Sequence, residues 1–222
     1  MIEPYYKDDS CTIYHGDCRE ILPELEPVDL VLTDPPYGEQ THGNHLSKME
    51  ILGARSALGF KSIGQEEMNM LASEWLEISK GWVVFSCEWH FMAELPELVR
   101  FGIWRKPNGA PQFAGDRPGT GWEAIAILHK PGKKKWNGGG KHGFWVANNE
   151  PGMHPTQKPL KLLRMLITDF SNSGDLILDP FAGSFTTAVA AKELGRKCIA
   201  IEKEEKYCEI GVRRLAQEVL PL

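Results

Sequence analysis

Short β-branched runs alternate with amphipathic helical patterns along nearly the whole chain, and that alternation leaves few folds open. Consecutive parallel strands need crossovers long enough to hold a helix, and the helices then cover both faces of one sheet. Thr12-Ile13-Tyr14-His15 reads as a strand ending at Gly16-Asp17, with a short helix near 18–25. A second strand spans 28–33, a loop without sustained period 39–64, a helix about 65–80 and a third strand 82–86. The pattern predicts a helix over about 89–99 and strands at 101–104 and 123–128. Leu160, Leu163, Leu166, Ile167 and Phe170 fall at helical spacing, followed by a strand at 175–179, a helix through about Leu194, a strand at 197–202 and a closing helix at 204–217. The expected fold class is α/β, a doubly wound, mostly parallel sheet, in a single domain over 1–222.

Two strand ends carry chemistry. At Asp34-Pro35-Pro36-Tyr37 neither proline has an N–H, so the chain is extended, leaves the ladder, and presents the Pro35 carbonyl beside the Asp34 carboxylate. Two adjacent acceptors suit an exocyclic amino group with its two hydrogens, and Tyr37 adds a face for stacking a heterocycle. A tight turn after a buried strand also accounts for the tetrapeptide. The second end runs from Leu178 through Asp179-Pro180-Phe181-Ala182-Gly183-Ser184 to Thr187, with Glu202 closing the next strand. Ligands of doubly wound sheets bind outside the carboxyl ends of the strands, where an acid bonds ribose hydroxyls. Close packing of helix on sheet accounts equally for these small residues. The Gly-x-Gly-x-x-Gly and Gly-Lys-Ser/Thr phosphate cradles are missing, so a nucleoside without polyphosphate is the expected cofactor.

The net charge of −5 is unevenly spread. Residues 100–149 hold nine basic side chains and two acidic ones, with ten of the 22 glycines and Trp104, Trp122, Trp136 and Trp145. Positive charge, glycine and stacking rings suit a polyanion, and also describe a solvated surface loop with a lysine run. The five cysteines are scattered without Cys-x-x-Cys spacing, so reduced thiols and no metal site are expected. No stretch approaches the length of apolar residues that a membrane helix needs, and the first residues lack the order of a secretory signal, which points to a cytoplasmic protein without a membrane partner.

Taken together, these motifs resemble the amino-group DNA methyltransferases that use S-adenosylmethionine, in their circularly permuted β arrangement. Asp34-Pro35-Pro36-Tyr37 resembles the catalytic motif and Asp179 to Ser184 the cofactor motif, in that order, with the basic segment between them where the β group keeps its target-recognition region. His154-Pro155-Thr156-Gln157-Lys158-Pro159 is similar to the segment beside the methionine part of the cofactor, and Gly16-Asp17-Cys18 to the one at its adenine. The resemblance implies a Rossmann-like methyltransferase fold, circularly permuted, with a small basic recognition insert at 105–153 and a cofactor-binding half at 154–222.

It further implies methyl transfer from S-adenosylmethionine to N6 of adenine in double-stranded DNA, with Asp34, Pro35, Pro36 and Tyr37 as catalytic residues. Gly16, Asp17, Cys18, Asp34, Lys158, Asp179, Pro180, Phe181, Gly183, Ser184, Glu202 and Lys203 are the implied cofactor residues. Trp104, Arg105, Lys106, Asn108, Arg117, Lys133, Lys134, Lys135 and Lys141 are the DNA-binding candidates. Cytosine N4 is the alternative target, and an RNA methyltransferase or a catalytically weak DNA-binding regulator are readings of other classes. A homodimer and a cognate restriction endonuclease are compatible partners. Where the family usually has glycine this chain has Phe185, whose ring must point away from the pocket or reshape it.

Overall fold

The computed structural model describes residues 2–36, 63–109, 118–119, 121–150 and 157–216. Tyr37, Arg117, His154-Pro155-Thr156 and all but the end of the expected 39–64 loop lie outside the described residues. Among these residues nine strands form one sheet: β1 (Tyr6–Lys7), β2 (Cys11–His15), β3 (Val28–Thr33), β4 (Ser79–Cys87), β5 (Leu98–Arg105), β6 (Trp122–His129), β7 (Phe144–Val146), β8 (Leu176–Asp179) and β9 (Lys197–Glu202). Their order is β1-β2-β9-β8-β3-β4-β6-β5-β7. The run from β2 to β4 is parallel, and β6 is antiparallel to both of its neighbours.

Helices cover both faces. On one, α3 (Leu160–Phe170), α4 (Thr186–Glu193) and α5 (Glu205–Ala216) pack Leu163, Ile167, Ala188 and Cys208 over Leu30, Leu32, Val84 and Ile177. On the other, α1 (Cys18–Ile21) and α2 (Gln65–Ile78) pack Ile21, Met68, Leu71 and Trp75 over Val31, Val83, Phe85 and Leu178. The two-residue period of a strand produces this division, since Leu30 and Leu32 face one layer and Val31 the other.

The expected helix at 89–99 is instead a 3-10 turn, Trp89–Glu94, followed by β5 from Leu98. Pro96 is the cause: it pushes Leu95 to an extended ψ of 136° and offers no N–H, and Glu97 then turns with φ 50°. The segment read as an insert also contributes to the sheet itself. β6 lies between β4 and β5, and β7 pairs parallel to β5 with Trp145 opposite Trp104.

From β3 the chain crosses through α2 to β4 on one side, while from β8 it crosses through α4 to β9 on the other. The crevice between β3 and β8 is therefore the topological switch point, and it opens at the carboxyl edge of the sheet.

Candidate active site

Asp34 and Asp179 flank that crevice. Thr33, the last residue of β3, donates its hydroxyl to Asp179 Oδ1 at 2.7 Å, and the same oxygen accepts from Phe181 N at 3.2 Å. Asp179 is buried, and burial lifts its carboxyl to about 6. One residue after Thr33 the chain leaves the ladder at Asp34. The Pro36 carbonyl accepts from Ile63 N at 3.1 Å; among the described residues no backbone N–H bonds the Pro35 carbonyl.

Asp34 belongs to a chain of alternating charges. Lys158 Nζ lies 2.5 Å from Asp34 Oδ2 and 3.3 Å from Glu123 Oε2, and Lys106 donates to the other oxygen of Glu123. The Lys158 side chain is only 10% exposed. Asp34 Oδ1 is buried and, among the described residues, has no hydrogen-bond partner. Desolvation raises the Asp34 carboxyl above its ordinary value against the pull of Lys158, while the Lys158 and Lys106 ammoniums outweigh burial at Glu123 and lower it. A buried acceptor without a donor costs free energy unless a ligand completes it, so Oδ1 marks where a hydrogen-bond donor belongs.

The cofactor candidates gather at the adjoining strand ends. Gly183 takes φ 49°, its N–H reaches Glu202 Oε2 at 2.8 Å, and no atom lies within 4 Å of where a Cβ would stand. Glu202 Oε1 accepts from Glu204 N at 2.8 Å, so both carboxylate oxygens shape the turns around the crevice. Gly16 N–H reaches the Glu202 carbonyl at 3.0 Å. Asp17 caps α1 by accepting from Arg19 N at 3.1 Å; its bonds to the Arg19 guanidinium, with Lys203 at 3.4 Å, hold its carboxyl far below the usual range. Cys18 is buried with its thiol pushed to about 12 by desolvation. Pro180 is buried, Phe181 is half-buried with its ring edge-on to Trp75, and Ser184 pairs its hydroxyl with Thr186 at 3.0 Å. The Phe185 ring points away from this edge, fully buried against Gly211 of α5.

The DNA-binding candidates do not stay together. Trp104 is core, 2% exposed, its indole donating to the Ala147 carbonyl at 2.9 Å, so it offers no face to a base. Lys106 is committed to Glu123 and belongs to the charge chain. Asn108 spends both ends of its amide on the backbone of Asn149, at 2.7 and 3.0 Å, clipping two loops rather than reading base edges. Lys141 neutralises the buried Asp169 of α3 at 2.8 Å.

Lys133, Lys134 and Lys135 lie at the end of the sheet opposite to Asp34. β6 runs from Ala124, opposite Cys87, to His129, opposite Trp82, so the chain reaches the amino edge of β4 before the lysines begin. There Trp82 Nε1 donates to the Lys135 carbonyl at 2.6 Å and Lys135 Nζ reaches Asn172 at 3.1 Å. The strand from Trp82 to Cys87 alone separates the two edges by about 17 Å. Arg105, the exposed end of β5, does lie at the Asp34 edge, opposite the exposed Trp122.

Glu123 was missed as a site residue: its meaning depends on lysines distant in sequence, and the one signal was an acid alone at the head of a strand in a basic segment. Cys87, the last residue of β4, is buried with its thiol pushed up to about 12 by desolvation. All five cysteines are free, and among the described residues no cluster could hold a metal ion and no helix is long and apolar enough to cross a membrane.

Comparison with known proteins agrees with this geometry. Type II methyltransferase M2.DpnII of Streptococcus pneumoniae is 29% identical over 252 residues, covering 98% of this chain and 94% of that protein. Type II methyltransferase M.HinfI of Haemophilus influenzae is 28% identical, covering 100% of this chain and 72% of its own length. The crystal structure of the M1.HpyAVI-SAM complex superposes with a TM-score of 0.70 at 25% identity, over 93% of this chain and all of that one. The cytosine-N4-specific PvuII DNA methyltransferase shares the fold, with a TM-score of 0.74 at 18% identity over 99% of this chain and 91% of its own. The family model described as DNA methylase matches residues 96–213, more than half of the 222, and this chain accordingly belongs to the N6/N4 DNA methylase family.

Proposed function

We propose that this chain transfers the methyl group of S-adenosylmethionine to N6 of an adenine swung out of double-stranded DNA. The observation that carries the proposal is the Asp34 carboxylate, one oxygen held by Lys158 and the other buried at the switch-point edge without a donor among the described residues. The crevice fits the cofactor: Gly183 leaves open space beside it, Glu202 sits at the end of the strand next to β8, and no phosphate cradle is present in the sequence. When bound, S-adenosylmethionine would supply an electrophilic methyl on a sulfonium, and the electron pair of the broken S–CH3 bond would stay on sulfur as a neutral thioether.

The chain's own work is positioning and electrostatics. Asp34 Oδ1 accepts one amino hydrogen and the Pro35 carbonyl the other. Both pull the nitrogen toward a pyramidal form whose lone pair points across the crevice toward β8. After the N–C bond forms, the amino nitrogen carries a positive charge and one proton too many; Asp34, its basicity raised by burial, takes that proton and passes it to water. Glu202 and the turn it shapes hold the nucleoside end, and Tyr37 stacks on the extruded base, a swing that costs a few kcal/mol.

Phosphate contacts fall to exposed side chains of the same edge, Arg105 among them. The 105–153 segment serves as the recognition region through the loops that leave this edge. Double-stranded DNA is the macromolecular partner, in the cytoplasm where it lies, and a cognate endonuclease and pairing of two copies over a site belong to the same reading. Tritium transfer from labelled S-adenosylmethionine to methylation-free genomic DNA, with the nucleosides separated afterwards, tests it. N6-methyladenine made by the parent and not by Asp34→Ala is the expected result; N4-methylcytosine, or transfer to RNA alone, refutes it.

A further inference from the structure

We infer that Glu123 is a positioning residue for the transfer site: backed by Lys106, it draws the Lys158 ammonium onto one oxygen of Asp34 and keeps the other open for the amino group of the base. The inference rests on the assignment of Asp34 as amino acceptor and extends it to a residue that touches neither base nor cofactor. Lys158 has three N–H donors on one nitrogen. It spends one on Asp34 Oδ2 at 2.5 Å and one on Glu123 Oε2 at 3.3 Å. With the Glu123 charge gone, that second donor turns toward Asp34 Oδ1, the oxygen of the same carboxylate that has no described donor.

Glu123 is built to stay in place. Its backbone is locked in the β5–β6 ladder opposite Trp104, whose indole is pinned to the Ala147 carbonyl at 2.9 Å. Lys106 holds its far oxygen, and the Lys106 ammonium lies 4.6 Å from the centre of the Trp104 ring. The carboxylate therefore cannot rotate away from Lys158 without abandoning an ion pair.

The groups facing Asp34 come from four elements: Lys158 ahead of α3, Glu123 from β6, Ser86 from β4 and Asp179 from β8. Of these, Glu123 and Asp179 favour the protonated acid, while Lys158 and the Ser86 hydroxyl favour the carboxylate. Neutralising Glu123 moves the titration of Asp34 down, and neutralising Lys106 moves it up.

The test is the pH dependence of kcat for the parent, Glu123→Gln, Glu123→Asp and Lys106→Gln, with Asp34→Ala as the control for the underlying assignment and calorimetric titration of S-adenosylmethionine for each. A misplaced acceptor of this kind lowers kcat about ten- to a hundredfold. In Glu123→Gln that fall should come with cofactor affinity within about threefold of the parent and an acid limb displaced by about one pH unit to lower pH. Glu123→Asp, which keeps the charge, should return the limb to its parental place, and Lys106→Gln should move it the opposite way. Activity of Glu123→Gln within twofold of the parent overturns the inference, as does a fall in kcat with an unmoved limb. Should Glu123→Gln not fold, the upward movement in Lys106→Gln decides alone. An active Asp34→Ala would sink the assignment beneath it, a result distinguishable from either outcome at Glu123.

Discussion

The Thr33 hydroxyl is bonded to Asp179 Oδ1 at 2.7 Å, so the last side chain of β3 is tied to the last side chain of β8. Asp34 follows Thr33 directly, so beyond the β3–β8 ladder a buried side-chain hydrogen bond ties the acceptor of one strand end to the turn that begins the other. Thr33→Val keeps the shape and removes the donor. The cost should be about 1–3 kcal/mol in urea unfolding, because a buried carboxylate oxygen loses one of its donors. A change below 0.5 kcal/mol would show that the bond does not hold the two strands.

Asp179 makes that stability depend on pH. Burial raises its carboxyl from 3.8 to about 6, so folding favours the protonated acid. The contribution is complete below the unfolded value, near pH 4, and is lost as pH climbs through about 6. Asp179→Asn keeps an Oδ1 acceptor for Thr33 and Phe181 and does not titrate. Its stability relative to the parent should therefore improve by about 3 kcal/mol between pH 4 and pH 8. Parallel stability curves for the two proteins would contradict the burial argument.

Lys158 separates two carboxylates that would otherwise face each other. Lys158→Met should lose about 3 kcal/mol at pH 8, since an uncompensated pair of acids remains in a half-buried site. Lowering the pH toward 5 should restore much of the loss, because protonating either acid removes the repulsion. Thermal melting at the two pH values measures it; equal losses at both would mean that packing of the lysine stem, not its charge, is what the site needs.

The lysine run should be silent in DNA binding at the catalytic edge. Changing Lys133, Lys134 and Lys135 together to Ala leaves the Asp34 edge untouched, and affinity should stay within about twofold of the parent with the same salt slope. Arg105→Ala removes a cation at the edge itself and should weaken binding with a slope shallower by about one. Fluorescence anisotropy across a salt series distinguishes the two, and a triple variant with a flattened slope would return the run to the DNA interface.

What could be read from sequence follows from how locally each feature is determined. Asp34 and Asp179 were legible because prolines follow both and end their strands within the sequence itself. The doubly wound sheet was legible from the two-residue and helical periods. Residues 89–99 differ from the expected helix because Trp89, Met92 and Leu95 fall at helical spacing while Pro96 ends the turn after one short 3-10 stretch. Trp104, Lys106 and Lys133 to Lys135 were read by charge and ring content, which do not say which edge of a sheet a residue reaches. That depends on the antiparallel course of β6, decided by its pairing with β4. Glu123 became visible only when the fold brought Lys106 and Lys158 to it.

Phe185 answers a question that its sequence position raised. The residue takes φ 62° and ψ 27°, a left-handed conformation that costs a bulky side chain about 1–2 kcal/mol, and its ring is wholly buried. A Cβ on Gly211 would stand 2.6 Å from the ring, so the two positions are coupled: ring on one element, bare backbone on the other. Gly211→Ala should destabilise by about 2–3 kcal/mol through overpacking. Phe185→Ala should cost about 3–4 kcal/mol, the lost ring. In the Phe185→Ala background the Gly211→Ala change should be nearly neutral, giving a coupling of about 2 kcal/mol in a double-mutant cycle. Cofactor affinity should survive Phe185→Ala within about threefold, because the ring faces α5 and not the crevice. Additive stability losses would deny the contact, and a collapse of cofactor affinity in a folded Phe185→Ala protein would put the ring back in the pocket.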